Sequence, residues 1–171
     1  AFNVDLTTYT TAGGYVSSEM FSFICPIMLI TLVTGFAGAA ISGEIEKGTI
    51  GLLLTLPVSR TKIFLGKYLT GLLTLVIFCL VSIYSIPLFF SAYNINYEIR
   101  NYHLLFIVYL IFGWAIYSMA MFFSSIFSDK GKVFSFTGGL MVLMFVANII
   151  SGLKENLVNL KYASFFYYFN A

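Results

Sequence analysis

The chain has 171 residues, 60% of them hydrophobic and only 9% charged. A soluble domain carries roughly a quarter charged residues, so the composition excludes an ordinary soluble fold and points to an all-α, polytopic helical membrane protein. A formal net charge of +2 gives no electrostatic reason to expect a nucleic-acid partner.

Residues 1–19 are polar and Thr-rich, broken by Gly13 and Gly14, and read as an outer loop. Met20 to Ile41 is a run of 22 uncharged residues, enough to cross a hydrocarbon core of about 30 Å as a helix. Pro26 near its start is tolerable in a membrane helix. Gly35 and Ala39, four apart near its end, form a small-residue face for close helix packing, within the chain or with a second copy. Residues 42–67 are charged and punctuated by Gly and Pro. Further uncharged runs follow at 68–92, 104–128 and 133–153, giving four predicted spans. Between them lie a Tyr- and Asn-rich loop at 93–103, suited to a headgroup-level aromatic belt, and a tight turn at 129–132. The tail, 154–171, is too polar at its front to span and reads as an outer interfacial helix. The whole is a single transmembrane domain. Cys25 and Cys79 lie inside apolar runs without His or acidic neighbours at ligand spacing, and read as packing thiols.

Basic residues set the orientation. Lys47, Arg60, Lys62, Lys67, Lys130 and Lys132 follow the first and third spans, whereas Arg100, Lys154 and Lys161 lie on the other side. The 42–67 segment and the 129–132 turn are therefore expected in the cytoplasm, with both ends of the sequence outside. No secretory signal is visible. An outside start without one is what is expected of a piece that lacks a preceding span and a following one.

Within residues 43–67, GEIEKGTIGLLLTLPVSRTKIFLGK, Gly48 reads as the left-handed exit of one helix and Thr49 as the N-cap of the next. Ile50 to Leu56 would form a short surface helix. Pro57 ends it, because the residue before a proline avoids helical angles, and Ser59 caps the following helix, whose first turn holds Arg60. Read for pattern alone, the segment is also compatible with a solvated loop carrying snorkelling lysines.

The segment resembles the loop between the second and third spans of type 2 ABC transporter permeases. The matching positions are Glu44 or Glu46, Gly48-Thr49, Leu53-Leu54, Pro57-Val58-Ser59-Arg60 and Gly66-Lys67, with Gly51 where many relatives carry an acidic residue. The resemblance implies that residues 50–56 form, or adjoin, a coupling helix that docks on a separate ATP-binding subunit. The coupling residues would be Glu44, Glu46, Gly48, Thr49, Leu53, Leu54, Pro57, Ser59 and Arg60. It implies a second permease copy, identical or not, besides membrane lipid, and a setting in the plasma membrane of a bacterium or archaeon. This chain would hold the second to the fifth spans and work as a permease, an exporter by the resemblance.

No cofactor is expected here. The sequence has no GxxxxGK[ST] phosphate loop, so ATP and Mg would sit on the partner subunit. Two other classes stay open: an intramembrane enzyme and a non-transporting scaffold. An enzyme would need ionisable groups at membrane depth, and the four runs hold no Asp, Glu, Lys, Arg or His between their ends. His103, ahead of the third run, reads as an interfacial hydrogen-bonding residue. Ser, Thr, Tyr, Asn148 and many Phe within the runs suit an amphipathic or lipid-like cargo better than a small ion.

Overall fold

The computed structural model describes residues 20–21, 24–55, 57–93, 99–153, 162 and 164–169. Its helices are α1 (Cys25–Ala40), α2 (Ser42–Glu46), α3 (Ile50–Leu54), α4 (Arg60–Ala92), α5 (Ile99–Ile126), α6 (Lys130–Leu153) and α7 (Phe165–Phe169). Among the described residues there is no strand. The fold is all-α, and α4, α5 and α6 are each long and apolar enough to cross a membrane. At 33 residues, α4 is about 50 Å long. That exceeds the hydrocarbon thickness, so one end stands outside it. The apolar regular helix of the first predicted span is shorter, 16 residues. Wider π-type turns at Met20, Phe21 and Ile24 precede it, and α2 follows a kink.

The core sits where α1 and α4 converge on α5. Leu29 of α1 and Leu75 of α4 are fully buried, and both press on Gly113 of α5. A Cβ on Gly113 would lie 2.6 Å from Leu75 Cδ1 and 3.1 Å from Leu29 Cδ2. The absent side chain is what lets three helices share one crossing point. On the other flank α6 packs on α1 through Gly35 and Gly38, which face Phe134 and the stem of Lys130. Within the chain, the small residues that meet α6 are Gly35 and Gly38. Ala39, expected to share that face, is exposed. Cys25 and Cys79 are buried free thiols.

The kink between α1 and α2 has a definite cause. The hydroxyl of Ser42 donates to Gly38 O at 2.6 Å, occupying a carbonyl of the helical ladder. The amides of Ile41 and Ser42 turn instead to Ser124 Oγ of α5, at 3.4 and 3.2 Å. A side-chain oxygen inserted into the ladder is a standard origin of helix bends.

Two sequence expectations shift at the far end. Helix α5 begins at Ile99, within the expected loop, and Tyr102 is buried edge-on against Phe21 rather than lying in a belt. Tyr93 is 75% exposed, and His103 Nδ1 lies 2.6 Å from the Tyr84 hydroxyl of α4. The tail differs more. Residues 154–161 lie outside the described residues, as do the outer loop at 1–19 and Tyr97. Helix α7 nevertheless packs Phe166 and Phe169 on Phe112, with ring centroids 5.5 and 4.6 Å apart. Phe112 is about 20 Å along α5 from its start at the helical rise of about 1.5 Å per residue. So α7 packs part-way along the bundle with its described side chains half-buried, anchored by Ser164 Oγ on Met144 O at 2.8 Å. Its aromatic rings pack on Phe112 of α5 and Phe145 of α6.

Candidate functional site

The charged elbow, residues 42–67, and the Asp129 turn meet at one end of the bundle. Helix α6 begins at Lys130, sooner than the tight turn predicted over 129–132. Asp129 Oδ1 accepts from Gly131 N at 2.6 Å, and Glu46 Oε2 accepts from Lys130 N at 3.1 Å. Two carboxylates at a helix N-terminus favour its dipole and offset Lys130 and Lys132 in the same turn. Glu46 therefore ties α2 to α6.

Helix α2 ends in a complete Schellman motif. Gly48 has φ +73°, Gly48 N donates to Ile45 O, and Thr49 N donates to Glu44 O, both at 3.0 Å. The left-handed exit is where the sequence put it. Thr49 behaves differently from expectation. An N-cap hydroxyl needs extended backbone, whereas Thr49 is helical, at φ −78° and ψ −14°, with no capping bond to α3. Its hydroxyl turns back and donates to the Glu44 carboxylate. The other carboxylate oxygen of Glu44 pairs with Lys67 Nζ of α4 at 3.0 Å. Hydrogen bonds from Thr49 and then Lys67 hold the Glu44 carboxyl below the usual glutamate range. A lowered value means that the pair supports the fold at neutral pH and is lost as pH falls through that lowered value.

Helix α3 then lies outside the bundle with none of its residues buried. Leu52 is 73% exposed and Leu54 46%, whereas Leu53 is half-buried. The outward apolar edge is thus Leu52 with Leu54, joined by exposed Val58, rather than the Leu53-Leu54 pair. Leu56 lies outside the described residues. The helix stops at Leu54, ahead of the exposed Pro57. Ser59, extended at φ −66° and ψ 145°, accepts from Lys62 N and starts α4. Arg60 and Lys62 follow it, exposed. Two cations at a helix N-terminus oppose its dipole, so their placement serves something other than α4's own stability.

Lys67 was legible as part of the Gly-Lys pair but not as a partner of Glu44, 23 residues away. Its carbonyl also accepts from the Tyr117 hydroxyl of α5 at 3.2 Å. Gly71 makes room for that ring, since a Cβ there would lie 2.0 Å from the Tyr117 hydroxyl oxygen. Tyr68 beside it shares hydrogen bonds with Ser118 at 2.8 Å and with Trp114 Nε1 at 2.7 Å. A lone Gly one turn after a Lys is a signal that could have been noticed; the tyrosine could not. Among the described residues no cluster of His, Cys, Asp or Glu could hold a metal ion.

Antiparallel apolar helices, two charged turns joined at one end and a short apolar helix displayed beyond them describe a multi-pass membrane subunit. The family model for the ABC-2 family transporter protein matches residues 3–168, and the chain belongs to that family. It is a membrane-spanning permease domain of an ABC transporter. No curated protein and no solved structure matches it.

Proposed function

We propose that the elbow is where an ATP-binding subunit pushes on this permease, and that the transporter exports its cargo. The observation that carries the reading is α3: five residues, none buried, presenting Leu52 and Leu54 outside the membrane bundle. Exposed leucines on a water-facing segment are costly unless a partner covers them. The elbow and the Asp129 turn together carry six of the nine basic residues, which supports a cytoplasmic position. Two permease copies and two ATP-binding subunits in the plasma membrane of a bacterium or archaeon complete the proposed assembly, with ATP and Mg bound by the partner.

An amphipathic or lipid-like cargo fits the open groove of about 710 Å³ along α1, lined by Ile27, Met28, Thr31, Phe36 and Phe134 with Lys130 toward the elbow. The test is transport per ATP hydrolysed in proteoliposomes holding permease and ATP-binding subunit together. Pro57→Ala should lower that ratio several-fold, because an uninterrupted helix from α3 into α4 would swing α3 away from the direction it takes here. An unchanged ratio would remove Pro57 from the coupling path, and ATP hydrolysis without any effect on transport would overturn the reading.

A further inference from the structure

We propose that Lys67 is the positioning residue that makes the surface helix and the membrane helices move as one body, through an internal latch with Glu44 and Thr49. This rests on the reading of the elbow as the docking segment and assigns Glu44 a different role within it. A residue that grips a partner must offer its charge outward. Glu44 does the opposite: one carboxylate oxygen takes the Lys67 ammonium at 3.0 Å, and the other takes the Thr49 hydroxyl. Both side chains of the ion pair are about three-quarters covered, 24% and 28% exposed.

Each end of the latch is itself fixed. Thr49 starts α3, with its carbonyl accepting from Leu52 N and Leu53 N, and its amide closes the Schellman turn on Glu44 O. Lys67 lies about two turns into α4, and its carbonyl accepts from Tyr117 of α5. One residue thus bonds the docking segment through its side chain and the neighbouring span through its backbone. The turn at Gly48 supplies direction but little resistance, since a single left-handed residue has open space around it. Pro57 and Val58 are bends and Ser59 is extended before α4 begins, so they form a second compliant joint. Without a cross-brace, a push on Leu52 and Leu54 would bend those two joints before it displaced α4. The Glu44–Lys67 pair spans both joints and is that brace. A single ion pair at the edge of the bundle is enough to bias an angle, and its loss leaves folding intact.

The test separates the brace from the docking. In the transporter assembled with its ATP-binding subunit, Lys67→Gln should leave co-purification of that subunit within twofold while transport per ATP falls at least threefold. Lys67→Arg, which keeps the charge and a donor, should restore most of the ratio. Spin labels at Val58 and Ser125 should give a narrow distance distribution in the parent and a clearly broader one in Lys67→Gln. A distribution that stays narrow overturns the latch, as does a Lys67→Arg variant no better than Lys67→Gln. Broadening with an unchanged transport ratio would leave the latch standing as a structural brace and overturn its role in coupling, which points back to the docking reading.

Discussion

Replacing Leu52 and Leu54 together by Asp is expected to abolish capture of the ATP-binding subunit while leaving membrane insertion intact. Both side chains are exposed, Leu52 more fully than Leu54, so the bundle loses little packing when they change. The proposed interface loses two anchors. Burying a leucine is worth about 1.5–3 kcal/mol, so the pair amounts to roughly 3–6 kcal/mol, or two to four decades of affinity at about 1.4 kcal/mol per decade. Desolvating two carboxylates adds to the loss. The measurement is pull-down of the ATP-binding subunit by detergent-solubilised permease, with elution volume on size exclusion as the folding control. Normal pull-down by the double variant would show that α3 is not the docking element. Leu53→Ala should have a smaller effect on capture, because Leu53 is partly turned toward its own chain.

Gly71→Ala is the substitution expected to damage the bundle most for its size. The new methyl would meet the Tyr117 ring at three atoms, 2.0 Å from the hydroxyl oxygen, 2.4 Å from Cζ and 2.8 Å from Cε2. That ring is fully buried, stands 5.2 Å from Tyr68 between centroids and is hydrogen-bonded to Lys67 O. Overpacking costs about 1–3 kcal/mol and the lost hydrogen bond about 0.5–1.5 kcal/mol, so a destabilisation of roughly 2–4 kcal/mol is expected. Gly113→Ala also brings a close contact, but its nearest atom is the terminal methyl of Leu75, which can swing aside at lower cost. Melting in detergent should therefore rank Gly71→Ala well below Gly113→Ala. The chain's single tryptophan, Trp114, which donates to the Tyr68 hydroxyl, should report the disturbance as a shifted emission. Equal melting temperatures for the two variants would contradict the close approach of Tyr117 to α4.

What the sequence disclosed follows from which interactions are local. Uncharged runs of membrane length located the long helices, because backbone hydrogen bonding in lipid leaves a helix little alternative. Gly48 and Ser59 announced a left-handed exit and an N-cap by residue type, since each acts within its own turn. Thr49 was misassigned because the same hydroxyl can cap forward or donate backward, and the backbone angle that decides it is set by Gly48. The Glu44–Lys67 pair, the Ser124 oxygen under the kink and Tyr117 over Gly71 all join residues separated by 23 to 83 positions. Such contacts have no periodic signature. The aromatic tail was partly illegible for a related reason: dense Phe and Tyr suit a membrane interface and a helix contact equally well, so the packing of α7 on Phe112 has no local signal.

The side of the membrane that the elbow occupies is the claim on which docking, coupling and the latch all depend. A single-cysteine handle, Val58→Cys, can be probed with a membrane-impermeant maleimide in sealed cells, against Tyr93→Cys at the far end. Both parent residues are exposed, and the native Cys25 and Cys79 are buried and should stay silent. The expected result is labelling at position 93 in intact cells and at position 58 only after permeabilisation. Labelling at position 58 in intact cells would place α3 where no ATP-binding subunit could reach it.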